Sequence, residues 1–319
     1  MALHRACEIR RSGPHIPRAG FRKADVLASD TAMSPAGADA RRVRWGGGTL
    51  PQSRGSPRAC QALGASPGLS TQGGAVRTLG IDLAAEPKKT AACVIDWQAG
   101  RAEVQLLESG CDDAALLPLI DEADKVGIDA PFGWPDEFVA AVVGHHGLGP
   151  WPGAGAADAK KFRETLSFRQ TDREVMAVRR PLSVSTDKIG VTAMRCAGLL
   201  HQIGDVDRAG LGKVAEVYPA AALERWGHQS GAYKAKLAKE ALPAMVEGIR
   251  SALPELDLAG CDPTTDDHKF DALVSALVAR AAALGLTDPP PPELVERAGR
   301  EGWIHLPGAD SLGRLAAEK

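Results

Sequence analysis

Two short apolar runs end in the same tripeptide, Gly80-Ile81-Asp82 and Gly127-Ile128-Asp129. A carboxylate directly after a buried run needs a partner, because an ionised group is costly to desolvate alone. If the two runs are parallel neighbouring strands, Asp82 and Asp129 emerge side by side at one end of a sheet. Like charges held that closely repel unless a cation sits between them. A third source of acids is the stretch Thr264-Thr265-Asp266-Asp267-His268-Lys269-Phe270-Asp271. Asp267 and Asp271 are four apart there, on one face near a helix start whose dipole favours carboxylates, while Asp266 reads as the N-cap. Three or four carboxylates from distant positions suit hard cations, so Mg2+ or Mn2+ is the expected cofactor; the lack of a Cys or His cluster argues against zinc. Two such ions about 3.5–4 Å apart activate a water and stabilise the leaving oxygen of a phosphodiester. Asp82, Asp129 and Asp271 are therefore the expected catalytic acids.

Glu216 lies in an apolar strand just before Tyr218-Pro219, where an uncompensated charge is unusual. It reads equally as a further metal ligand, beside Asp267, or as the partner of an arginine. Arg173, in Arg169-Gln170-Thr171-Asp172-Arg173, has the planar fork that grips a phosphate; its plainer role is pairing with Asp172 or Glu174 on a solvated face. Lys188 is a similar substrate-binding candidate. His145 and His146 are adjacent, point apart at a helix end, have no third ligand, and read as solvated. Trp134, Trp151 and Trp226 offer stacking faces, but in a chain with 4% aromatic residues they read as core or lid.

Positioning these acids requires a particular order of elements. Arg77–Asp82 reads as a short buried strand, followed by Thr90–Ile95 and Ala102–Leu107 alternating as an antiparallel meander with a turn at Gln98-Ala99-Gly100. A helix over 112–124 follows, then the buried strand Lys125–Asp129 and a helix over about 136–143. From 144 to about 210 the periodicity is poor and the polar content high, which predicts an insertion of loops and short helices. A strand over 213–218, helices over 220–226, 234–253 and 266–283, and an edge strand over 302–306 complete the reading. Strand-strand-strand-helix-strand-helix is the order of an RNase H-like α/β fold, here a mixed five-stranded sheet flanked by helices.

Composition sets the bounds. The chain has 319 residues, 44% of them apolar, and a formal charge of -2, but the first 75 residues hold eleven basic side chains against Glu8, Asp25, Asp30 and Asp39. That leader, rich in Arg, Gly, Pro and Ser, reads as disordered over 1–75, with the domain over 76–308 and a polar tail over 309–319. The body is acidic by subtraction, so charge alone does not advertise nucleic-acid binding. Cys7, Cys60, Cys93, Cys111, Cys196 and Cys261 show no paired or metal-type spacing, and a reduced, cytoplasmic setting fits. No apolar run of about 18 residues predicts a membrane span.

Several stretches together resemble a known family. Gly80–Lys88, Gly127–Pro135, Arg169–Arg173, Glu216–Pro219 and Asp267–Ala276 look like the predicted RNase H-like nucleases, a domain of unknown function numbered 429. The resemblance covers nearly everything after the leader and implies a metal-dependent nuclease with nucleic acid as substrate. Similarity to Holliday-junction resolvases at the last helix, where an acid precedes Ala-Leu, implies that Asp271 matches a metal-binding acid with Asp267 as companion. Where resolvases carry Glu on the fourth strand, this chain has Asp129. A sugar or metabolite kinase of the actin and hexokinase superfamily shares such a sheet and also begins Gly-Ile-Asp. Its phosphate loop needs Gly and Thr or Ser soon after the first acid, and here Leu83-Ala84-Ala85-Glu86-Pro87 follows. A non-catalytic binding module on the same fold is the third reading.

Overall fold

The computed structural model describes residues 75–155, 157–231 and 238–317. The expected leader, apart from its last residue, lies outside them. Strands β1 (Val76–Asp82), β2 (Ala91–Gln98) and β3 (Arg101–Ser109) form the meander, with Gly100 at a φ of 66° in the β2–β3 turn. Helix α1 (Asp113–Glu122) starts on Asp112, whose carboxylate accepts the Ala115 N–H, and leads to β4 (Lys125–Asp129). Then come α2 (Asp136–His146), α3 (Ala159–Ser167), α4 (Gln170–Val175), α5 (Ile189–Ile203), β5 (Val214–Glu216) and α6 (Pro219–Arg225). The remainder holds α7 (Ala238–Ala252), β6 (Leu256–Asp257), α8 (Asp267–Ala283), β7 (Thr287–Asp288), α9 (Val295–Glu301) and β8 (Leu306–Pro307).

The main sheet has six strands rather than the expected five, in the order β5-β4-β1-β2-β3-β6. The sixth is a two-residue edge strand, β6, too short to leave a period-2 pattern. The sheet is mixed: β1-β2 and β2-β3 are antiparallel, while β1-β4, β4-β5 and β3-β6 are parallel. Alternation sorts the side chains between two apolar layers. Leu79, Ile81, Val126 and Ile128 face α1 and α5, and Ala91, Cys93, Ile95 and Trp97 face α7 and α8. Residues Phe270 to Ala281 of α8 are all buried, which is why this helix shows no polar face in sequence.

Two expectations are corrected at the C-terminus. Residues 302–306 do not form an edge strand: Ile304 makes one isolated bridge to Glu216, and β8 pairs with β7 in a separate two-stranded ribbon. The segment after 308 is not a free tail. Leu312 and Leu315 enter the core, and buried Arg280 donates to the carbonyls of Leu315 (3.0 Å) and Ala317 (2.9 Å) while lying over the Trp97 ring.

His305, 4% exposed, adds a testable acid sensitivity. Its Nε2 lies 3.0 Å from the Ala209 carbonyl and its Nδ1 2.9 Å from the Thr287 hydroxyl. A carbonyl only accepts, so Nε2 carries the proton, Nδ1 accepts from Thr287, and the ring is neutral. Burial pushes its pKa below the ordinary range, with Lys125 adding to the effect. The unfolded chain therefore takes up this proton near pH 6.5 while the folded chain resists it, so stability falls as pH drops from about 6.5 toward the lower folded value. Urea midpoints at pH 7.5 and 5.5 should differ more for the wild type than for His305→Gln; equal differences would remove this assignment.

Candidate metal centre

The parallel register sets Gly80 opposite Gly127, Ile81 opposite Ile128 and Asp82 opposite Asp129. Glycine and aspartate are two apart on each strand, so both project to the same sheet face, the one covered by α8. A Cβ on Gly80 would lie 2.1 Å from the Ala272 carbonyl oxygen and 2.2 Å from the Ala276 nitrogen; one on Gly127 would lie 2.6 Å from the Ser275 carbonyl oxygen. The helix backbone thus rests directly on two bare strand positions. That close seat carries Asp271, the residue before Ala272, onto the strand ends. One carboxylate oxygen from each of Asp82, Asp129 and Asp271 lies within 4.8 Å of the other two. Asp82 and Asp271 are buried and Asp129 is half-buried. Asp266 caps the helix, accepting the Lys269 N–H at 2.8 Å, and Ser109 at the end of β3 donates to its other oxygen at 3.1 Å.

His268 is a neighbour the sequence reading missed. Its Nδ1 lies 2.7 Å from Asp82 Oδ2, and this hydrogen bond, opposed by partial burial, raises the imidazole pKa. The available signal was helical spacing, since His268 precedes Asp271 by three residues and shares its face.

Glu216 and Asp267 lie outside the three-acid cluster. Asp267 opens α8, half-buried. Glu216 is held by Arg169: Nη2 donates to Oε1 at 2.7 Å and Nη1 to Oε2 at 2.8 Å, and Oε2 also accepts the Phe132 N–H at 3.0 Å. Of its two readings, an arginine's partner is the one seen. Asp172, expected beside Arg173, turns instead to Arg169 Nε and Nη2 (3.1 and 2.9 Å). Against the burial that disfavours its charge, Asp172 and Glu216 keep the Arg169 guanidinium firmly protonated. Arg173 is half-buried and touches only Gln170 and the Thr165 carbonyl at 3.5 Å, with no ion pair among the described residues. Lys188 is exposed at the start of α5.

Glu301, 1% exposed, is a second missed residue. Its Oε1 accepts the Asp136 N–H at the start of α2 and its Oε2 accepts the Gln170 N–H at the start of α4, both at 2.8 Å. Helix α2 has no side-chain cap of its own, and in α4 Asp172 accepts the Arg169 N–H at 2.9 Å but leaves the Gln170 N–H to Glu301. The following Gly302, at a φ of 89°, has no room for a side chain: a Cβ would lie 2.5 Å from Glu216 Oε2.

The donor chemistry of the cluster fits a hard divalent cation: three carboxylates on three elements converge, and a cation between them offsets their mutual repulsion. No helix among the described residues is long and apolar enough to cross a membrane. No curated protein and no solved structure matches the chain. Residues 80–295, from the strand of the first acid to the beginning of α9, match the family model described as "Protein of unknown function (DUF429)", and the chain belongs to that family.

Proposed function

We propose that the chain is an RNase H-like, metal-dependent phosphodiesterase acting on nucleic acid, with Asp82, Asp129 and Asp271 as the residues that hold Mg2+ or Mn2+. The convergence of these three carboxylates within 4.8 Å carries the proposal. The mixed sheet, with two acids at adjacent parallel strand ends and a third on a helix laid across them, supports the fold assignment. A bound divalent ion supplies Lewis-acid stabilisation of developing phosphoryl charge. The chain's own part is preorganisation. His268 holds one oxygen of Asp82, and the Gly80 and Gly127 seat fixes the helix, and Asp271 with it, relative to the strands. The kinase reading gains nothing from the loop after β1, where Arg195 occupies the Ala84 carbonyl (2.7 Å) and the Thr90 hydroxyl (2.5 Å).

The test is calorimetry with Mn2+ beside a cleavage screen over single-stranded, duplex, hybrid and branched nucleic acids with Mg2+ or Mn2+. Wild type should give a saturable heat and cut at least one substrate. Removing a ligand exceeds the 10–100-fold cost of losing an outer-shell partner, so Asp129→Asn and Asp271→Asn should each bind Mn2+ about 100-fold or more weakly and lose cleavage. Equal cleavage by all three proteins, or no saturable heat from wild type, would sink the proposal.

A further inference from the structure

Between Lys160 and Lys188 the chain holds eight cationic side chains against four carboxylates, although its formal charge is -2. Pairing sharpens the imbalance. Arg77, Arg101, Arg195, Arg225, Arg297, Arg300 and Arg314 each sit in an ion pair. Lys160, Lys161, Arg163, Arg180 and Lys188 are exposed and form no ion pair among the described residues. Of the four acids of the same segment Asp172 alone sits in an ion pair among the described residues, while Glu164, Glu174 and Asp187 are exposed. Asp172 is buried against Arg169, Asp187 accepts the Ser183 N–H at 2.7 Å, and Glu174 accepts from Gln170.

The segment also lies at the right end of the sheet. Helix α3 ends two residues before Arg169, which is locked to Glu216, and Glu216 stands opposite Ile128 in the neighbouring strand. Adding about 14 Å of helix, two extended residues, the Arg169–Glu216 pair, one strand spacing and the step to Asp129 bounds the α3 cations at about 45 Å from Asp129, a reach of some thirteen nucleotides at about 3.4 Å each. On the other flank, α5 begins at Lys188, and Arg195, two turns on along the same face, donates to the Ala84 carbonyl just after Asp82.

We infer that the exposed cations Lys160, Lys161, Arg163, Arg180 and Lys188 form a docking surface for the phosphate backbone of a nucleic-acid strand, leading it to the acidic cluster. The inference rests on the phosphodiesterase reading and names the part of the molecule that holds the substrate. Unpaired cations at the sheet end that carries the acids supply sequence-independent attraction, and place a polyanion where three carboxylates alone would repel it.

The experiment is fluorescence anisotropy of the full chain with a labelled 20-nucleotide oligonucleotide, single-stranded and duplex, in a chelating buffer. The triple variant Lys160→Glu/Lys161→Glu/Arg163→Glu and the single variant Lys188→Glu are compared with Arg101→Glu/Lys213→Glu. Arg101 and Lys213 are exposed at the opposite sheet end, and every protein keeps the basic leader unchanged. The triple variant should bind at least tenfold more weakly, with the slope of log affinity against log salt shallower by about one for each phosphate-binding cation removed. The control pair should stay within twofold. Unchanged affinity and slope in the triple variant, or an equal loss in the control pair, would overturn the docking surface. So would a wild-type chain that ignores the oligonucleotide but binds anionic phospholipid vesicles in a way the triple variant loses, since the surface would then belong to a membrane. Mn2+ calorimetry on the same proteins separates the two proposals. Normal heat with no effect of the triple variant ends the docking surface alone, whereas intact docking without wild-type heat ends the phosphodiesterase reading and supports a binding surface.

Discussion

Arg169→Met should destabilise the chain by about 3–5 kcal/mol, the range expected when one partner of a buried ionic cluster is removed. All five guanidinium N–H groups are engaged: Nε and one Nη2 hydrogen on Asp172, the other on Glu216 Oε1, and the Nη1 pair on Glu216 Oε2 and the Glu301 carbonyl. Methionine fills much of the volume but leaves two carboxylates, each under 3% exposed, without their cation. Burial already pushes the Glu216 carboxyl upward, and Arg169, helped by the Phe132 N–H, opposes it. In the variant the folded state must therefore hold a proton that the unfolded chain releases near pH 4.3, so stability falls as pH rises from there toward the folded value. Urea midpoints should show a deficit that widens between pH 5 and 7. Adding Glu216→Gln and Asp172→Asn should recover part of it. A single variant within 1 kcal/mol of wild type at neutral pH would refute the hub.

Gly80→Ala should be the most damaging one-carbon change in the sheet. Its new Cβ would sit 2.1 and 2.2 Å from two backbone atoms of α8, neither of which can rotate away. The helix would have to lift by more than an ångström, above the usual 1–3 kcal/mol for overpacking, because a buried layer moves with it. Asp271 moves too, so the surviving folded protein should also lose Mn2+ affinity. The contrasting change is Gly198→Ala in α5, where nothing lies within 4 Å of the added carbon; it should stabilise by about 0.5–1 kcal/mol. Thermal melts of both variants beside Mn2+ calorimetry decide the matter, and a Gly80→Ala protein with wild-type melting and metal binding would remove the helix-seat argument.

The three acids are legible because each follows or interrupts an apolar pattern in a way that solvent exposure does not explain. The glycines two residues ahead of Asp82 and Asp129 carry as much information, but their use depends on which helix covers that face, a long-range fact. Arg169 and Arg173 look alike in sequence; burial alone separates the residue that organises the core from the one on its edge. Helix α5 hides within an irregular stretch because Gly190 and Gly198 lower its propensity, although Ala193, Cys196, Leu199 and Leu200 form its buried face. Similarly, β6 has two residues and a place fixed only by β3, and the apolar Leu312 and Leu315 are separated by a Gly-Arg pair that reads as a solvated turn.

Glu301 ties events far apart in time as well as in sequence. Domains generally begin to fold while the ribosome is still extending them, amino-terminal parts first. Helices α2 and α4 leave the tunnel early, yet the carboxylate that accepts an N–H at the start of each is made more than 120 residues later. The N–H groups of Asp136 and Gln170 therefore lack this partner on the nascent chain until synthesis has passed α9.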